Sequence, residues 1–205
     1  MGKLISIVGN LGAGKTTLLS LLCEHASFTP YWEQPEKRPF QDRLRAELSR
    51  WALTNQIDFF LFRCEQEQRA RQGDEIAVFD GGLDQDFHVF TRYLAQQGHL
   101  DPNEYRLCQR FYAFARTVLP PPDLIIRLQV DLPLLLQRKA ARGRLTVDQS
   151  FDAQELGAFE VLLDEWLTAQ TASPVLSFAF DAGMEHSTLE LNALLEQIRR
   201  TLNNS

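Results

Sequence analysis

The 205-residue chain has no apolar run approaching the ~20 residues that a bilayer-spanning helix needs, so no membrane span is expected. Its three cysteines, Cys23, Cys64 and Cys108, are odd in number, far apart and outside any CxxC pair. That argues against a zinc site or a disulfide framework, and for reduced thiols in a cytoplasmic protein. Positive charge is not in excess: the net charge of −6 argues against a general nucleic-acid or anionic-membrane binder. There is no internal repeat, low-complexity tract or linker, so residues 1–205 are expected to form a single domain. No charged-then-apolar leader precedes the first strand. A formal myristoylation match at Met1-Gly2…Ser6 is discounted because Gly2 leads straight into that strand. No N-K-x-D motif is present, which argues against a GTPase-type switch.

What the chain does have begins at Gly9-Asn10-Leu11-Gly12-Ala13-Gly14-Lys15-Thr16. This reads G-x-x-x-x-G-K-T, a phosphate-binding P-loop pattern. An apolar run, Leu4 to Val8, precedes it, and a helical pattern beginning at Thr17-Leu18-Leu19 follows. That strand–loop–helix context separates a working loop from a chance match. Glycines let consecutive backbone N–H groups approach an anion, and the helix N-terminus adds its positive dipole end. Lys15 is expected beside the terminal phosphates and the Thr16 hydroxyl on Mg²⁺.

Along the chain, short apolar runs alternate with helical patterns. Strands are expected at 3–8, within 28–33, at 76–79 ending at Asp80, at 124–128 and at 175–180. Helices are expected at about 14–25, 41–71 (one long helix, or two with a break near Ser49), 84–97 closed by Gly98, 102–119, 133–142, 151–169 and 189–202. Short strands that are apolar on both faces, alternating with helices, imply an α/β fold: a five-stranded parallel sheet with helices on both faces.

In such a sheet the ligand site lies at the carboxyl ends of the strands. Glu33 and Asp80 fall there, beside the P-loop. A carboxylate in that place can hold Mg²⁺ or take the proton from an attacking hydroxyl, which fits a phosphotransferase. Either could instead cap a neighbouring helix. Arg138, Arg142 and Arg144 form a second cluster interrupted by Gly143. Arginines closing over a transferring phosphoryl stabilise its charge, so a lid at about 138–150 is expected. A solvated basic helix end is the simpler alternative.

These residues resemble the deoxynucleoside kinase family. Gly9 to Thr16 resembles its GNIGAGKS/T loop, and Glu33 to Phe40 its EPVEENPY stretch. Arg50-Trp51-Ala52-Leu53-Thr54-Asn55-Gln56, followed by Phe59-Phe60-Leu61, resembles its RWAFxxQ stretch. Asp80 opens the equivalent of its E/D-R-S segment, and Arg138 to Arg144 resembles its RxxxRGR lid. The resemblance implies a P-loop kinase fold and ATP and Mg²⁺ as cofactors. It implies a loop from Gly9 through Thr17 around the donor phosphates and a metal at Thr16 and Asp80. It makes Glu33 the general base on a nucleoside 5′-hydroxyl, with Lys15, Arg138, Arg142 and Arg144 as the catalytic cations. Gln56 would hydrogen-bond the base edge, Phe90 would stack on it, and Trp51 and Phe60 would line the substrate pocket. Arg63 and Asp86 fall where members accepting purines or cytosine carry an Arg–Asp pair. A homodimer through the long helices is also implied.

Three positions depart from the family pattern. Gly81 stands where the family has the arginine of its E/D-R-S segment. Arg45 stands at the position of a tyrosine that binds the sugar 3′-hydroxyl. The lid glutamate falls near Thr146–Val147, with Asp148 close by. The expected function is ATP-dependent phosphorylation of a deoxynucleoside 5′-hydroxyl, purine preferred. The alternatives are a P-loop kinase for another small acceptor, or a nucleotide-binding regulatory protein without transferase activity.

Overall fold

In this computed structural model, residues 2–34, 37–142, 151–179 and 188–203 are described. The sheet has the order β2-β3-β1-β4-β5, with every pairing parallel. Its strands are β1 (Lys3–Val8), β2 (Phe28–Tyr31), β3 (Ile76–Asp80), β4 (Leu124–Gln129) and β5 (Val175–Ala179). Alternation along β1 divides the core. Ile5 and Ile7 point to one face, where they meet Leu18, Leu19 and Leu22 of α1 (Lys15–His25) and Leu194 and Ile198 of α9 (Thr188–Asn203). Leu4 and Val8 point to the other. There Val8 packs with Ile125, Phe159 and Leu163, the last two from α8 (Ala153–Ala169), and Leu4 packs with Phe79 and Ala70. Each such side chain, fully buried, stabilises the fold by roughly 1.5–3 kcal/mol. The three central strands are apolar on both faces as expected. The edge strands β2 and β5 are half-exposed, because an edge is covered less completely than a centre.

The region expected as one or two helices from Gln41 is two: α2 (Gln41–Ala46) and α3 (Leu48–Gln72). The break is at Glu47, whose backbone is not helical. The helix expected from Asp84 to Gln97 contains a change of pitch. It runs as α4 (Leu83–Gln85), a π-helical stretch Asp86–Thr91, and α5 (Arg92–Gln96). The Thr91 hydroxyl sits 2.8 Å from the Asp86 carbonyl oxygen, across the wide turn. Gly98 (φ +74°) ends the helix, as its position suggested.

Two further helices begin with reciprocal side-chain caps, Asp101 with Glu104 for α6 (Pro102–Val118) and Asp152 with Glu155 for α8. The remaining helix, α7 (Leu132–Arg142), leads toward the expected lid, of which 143–150 lies outside the described residues. The strand expected to reach Glu33 ends at Tyr31. The Trp32 carbonyl instead accepts from Gln66 Nε2 of α3 at 2.9 Å. Gln34 then takes φ +52°, a left-handed conformation uncommon outside glycine, which turns the chain directly after Glu33.

Candidate active site

The carboxyl ends of β1, β2 and β3 bring the P-loop, Glu33 and Asp80 together. The loop is held from two sides. Gln85 clamps one peptide: Gly9 N–H donates to Gln85 Oε1 (3.1 Å) and Gln85 Nε2 donates to the Gly9 carbonyl (3.0 Å). Asn10 Nδ2 donates to the Leu156 carbonyl of α8 (2.8 Å) and to Glu160 (3.1 Å), while its Oδ1 accepts from Leu11 N–H (2.9 Å). Gly14 caps α1 at φ +100°, a conformation that strains any L side chain. Lys15 Nζ folds back onto the Gly9 and Asn10 carbonyls, 3.1 Å from each. Thr16 and Thr17 are exposed at the helix start. The Thr16 hydroxyl donates to Asp80 Oδ2 at 2.5 Å, whereas Asp80 Oδ1 is buried with no hydrogen-bond partner. Arg138 Nη1 reaches the loop from α7, donating to the Ala13 carbonyl at 3.1 Å. Arg142 ends α7, its side chain outside the described set, and Arg144 lies outside it altogether.

A cleft opens beside the loop, with Leu11, Glu33, Gln56, Phe59, Asp86 and Phe90 on its walls. Gln56 is buried, and its Oε1 accepts from Thr91 Oγ1 at 2.8 Å. Phe90 meets Phe159 edge-on at 5.4 Å. Asp86 and Phe90 both face the cleft from the π-helical turn, an irregularity of a kind frequent at functional sites.

Arg63 is fully buried and donates from Nε to Asp86 Oδ2 (3.0 Å) and from Nη1 to Gln66 Oε1 (3.3 Å). Its Nη2 has no hydrogen-bond partner and lies 3.9 Å from Glu33 Oε1. Glu33 keeps 32% of its side chain exposed. Burial pushes its carboxyl up to about 7; Asp80 and Asp86 add to the rise, and Arg63 and Lys15 oppose it. Burial likewise raises Asp86, against the pull of Arg63.

The structure brings together Glu33, Gln56, Arg63, Asp86 and Phe90 with the P-loop, Asp80 and Arg138. Two expected pocket residues lie elsewhere. Phe60 is in the core against Phe87 and Phe111, and its neighbour Phe59 faces the cleft, because adjacent helical residues point about 100° apart. Trp51 packs on Phe40 (6.0 Å) and under Arg43, away from the cleft wall. Arg63 and Asp86 are both buried.

The sequence reading did not single out Gln41 and Asn55, cleft residues whose Oε1 and Oδ1 are buried without partners. Asn55 precedes Gln56, four residues before Phe59, and that shared helix face is the signal that points to it. Gln85 was also missed; nothing in its local sequence marks it, because its partner is 76 residues away. The side chain of Arg45 is outside the described set. No group of three or more His, Cys, Asp or Glu residues suited to a metal occurs among the described residues.

Comparison with known proteins places this geometry. The family model for deoxynucleoside kinases matches residues 5–203. The chain is 26% identical over 181 residues to a deoxyguanosine kinase of Bacillus subtilis (strain 168), covering 87% of this chain and 86% of the relative. It is 26% identical over 184 residues to the deoxyadenosine/deoxycytidine kinase of the same organism, covering 87% and 83%. Among solved structures, a deoxyadenosine kinase from M. mycoides superposes with a TM-score of 0.79 over 96% of this chain and 99% of its own. The identity there is 20%, so this likeness speaks to the fold. The chain belongs to the deoxynucleoside kinase family, and it is a kinase of the P-loop fold.

Proposed function

We propose that this nucleoside kinase transfers the γ-phosphoryl of ATP to the 5′-hydroxyl of a deoxynucleoside, with Glu33 as the general base. The single observation that carries the reading is the placement of Glu33. It stands at the mouth of an apolar cleft, between Asp80 on the P-loop side and Arg63 on the cleft side. A carboxyl held near 7 is balanced between the forms that accept and release a proton. The donor phosphates lie along Gly9–Thr17. Lys15 leaves its carbonyl contacts for them and Arg138 approaches from α7, with Arg142 and Arg144 assigned as further catalytic cations on the resemblance alone.

A divalent cation fits beside Thr16 and Asp80, since Asp80 Oδ1 is a buried oxygen with no partner of its own. When bound, Mg²⁺ neutralises charge on the transferring phosphates. Asp80 and the Thr16 hydroxyl would hold it in place.

The base lies between Phe90 and the apolar wall, with Gln56 and the Arg63–Asp86 pair along its edge. A buried pair of this kind favours a base whose polar edge can match it, which supports a purine first and cytosine next. Gln41 and Asn55 supply unpartnered acceptors in the same cleft.

Residues 1–205 act as one domain. A homodimer would cover exposed Leu61 on α3 and Leu107, Phe114 and Val118 on α6. Steady-state phosphate transfer to a panel of nucleosides, with ATP affinity measured in parallel, tests the reading. Deoxyadenosine or deoxyguanosine should turn over fastest. Binding of ATP without transfer to any nucleoside would overturn it.

A further inference from the structure

Gly81 has a structural consequence beyond the loss of a family arginine. Its backbone is fixed at both ends to β1: its N–H donates to the Ile7 carbonyl (2.9 Å), and its carbonyl accepts from Ser6 Oγ (2.8 Å). Between these anchors it takes φ +77°. A Cβ added there would lie 2.9 Å from Arg63 Nη2 and 3.8 Å from Arg63 Cζ. The space that a side chain at position 81 would occupy is therefore adjacent to the arginine's unpartnered edge. That edge belongs to a guanidinium already fixed by Asp86 and Gln66, and it faces Glu33 across 3.9 Å.

We infer that Gly81 and Arg63 form a substitution unit, in which the absent side chain at 81 admits the free Nη2 edge of Arg63 as the positioning group for Glu33. This rests on the reading of Glu33 as the base. One arginine then serves two ends of the acceptor pocket. Its Nε edge holds Asp86 beside the nucleoside base, and its Nη2 edge steadies the carboxylate that receives the 5′-hydroxyl proton. A planar guanidinium can do this because its five N–H groups point in fixed directions; a lysine ammonium cannot span both carboxylates in the same way. The charged groups facing Glu33 are Arg63 from α3, Lys15 from the P-loop, Asp80 from β3 and Asp86 from the π-helical stretch.

Gly81→Ala is the direct test. The added methyl, at a strained φ, must displace the guanidinium edge. The kcat should fall by roughly 10²-fold, as a misplacement of about 1 Å can cause. The nucleoside KM should change by no more than about threefold. The acid limb of kcat/KM should move to higher pH, because Glu33 loses its nearest cation. If Arg63 serves only the base-side pair, KM rises instead while kcat and the acid limb stay put; that result overturns the inference.

A second measurement needs no variant. In the wild type, the Arg63 side-chain N–H resonances should shift with the same midpoint as a ¹³C-labelled Glu33 carboxyl. Independent titration of the two overturns the inference even if Gly81→Ala does not fold. The two failures are distinguishable. A wild type that transfers phosphate to no nucleoside defeats the proposed function, whereas loss of co-titration defeats the Arg63 role whatever the activity.

Discussion

Among the described residues, the arginine–carboxylate network behind the cleft and the one beside it are finished differently. Behind the cleft, Arg116 of α6 uses its whole fork. Nε donates to Asp84 (2.8 Å), and Nη1 and Nη2 donate to the two oxygens of Glu67 (2.7 and 3.1 Å). Tyr112 adds a hydrogen bond to Asp84 at 2.7 Å, and His88 leans on Tyr112 at 3.1 Å. None of the side-chain polar atoms buried without a partner belongs to this network. In the cleft wall Gln41 and Asn55 each leave one oxygen unpaired, and beside the cleft Arg63 leaves one nitrogen and Asp80 one oxygen unpaired. A satisfied buried network holds elements together. An unsatisfied one beside a cleft keeps its remaining bonds for a ligand.

That contrast is broken most severely on the satisfied side. Arg116→Met strands the buried carboxylates Glu67 and Asp84. It should cost about 3–5 kcal/mol in urea unfolding, the usual effect of removing one partner of a buried pair. A loss under about 1 kcal/mol would mean that the network does not hold α6 to α3 and α4. On the other side, Gln56→Leu should reduce kcat/KM for the nucleoside by roughly tenfold or more. It leaves the nucleobase edge short of a partner, at about 1–3 kcal/mol, while the Thr91 hydroxyl keeps the Asp86 carbonyl. Its KM for ATP should not move, and equal losses for both substrates would contradict a base-side position.

Protonation sharpens the same comparison. His88 is pushed down to about 4 by burial, below its ordinary 6.5, so between these values the folded state binds fewer protons than the unfolded one. Stability from this group is complete above about pH 6.5 and should decline as pH falls toward 4. A His88→Gln variant should show a flatter decline in thermal midpoint over that window.

Glu33 runs the other way. Its folded pKa, about 7 against an ordinary 4.5, makes the folded state bind more protons, so its contribution is lost as pH rises through that interval. Glu33→Gln should therefore melt higher than wild type at pH 8 and show no such gain at pH 4.5, since the neutral amide carries no ionisation cost. The smallest effect belongs to the exposed Arg50–Glu47 pair, 3.3 Å apart. Arg50→Ala should change stability by no more than about 0.5 kcal/mol in the same unfolding assay.

The parts of the molecule legible in the sequence are those written in local pattern. The P-loop, the three central strands and the Gly98 stop follow from residues within a few positions of one another. Glu33 was legible from its place at a strand end beside the P-loop, whereas Gln56, Arg63, Asp86 and Phe90 were reached through a family resemblance; all five line or border one cleft. What stayed illegible depends on distant partners or on helical phase. Phe59 and Phe60 are equally aromatic, and only the rotation of α3 decides which one enters the core. The pitch change at Asp86–Thr91 carries no breaker residue to announce it. The Gln85 clamp on Gly9 joins positions 76 residues apart. At Gly81 the sequence shows an arginine missing. Only the structure shows that another arginine lies against the gap.

The proposed chemistry turns on Glu33 receiving a proton from a nucleoside hydroxyl. The most direct test is the pH dependence of kcat/KM for deoxyadenosine and deoxyguanosine, measured for wild type and for Glu33→Gln with ATP binding monitored alongside. The wild type should show an acid limb near pH 7. Glu33→Gln should lose activity by roughly 10²–10⁴-fold while still binding ATP. A Glu33→Gln enzyme that keeps wild-type turnover, or a wild-type profile with no limb between pH 5 and 8, would contradict the account.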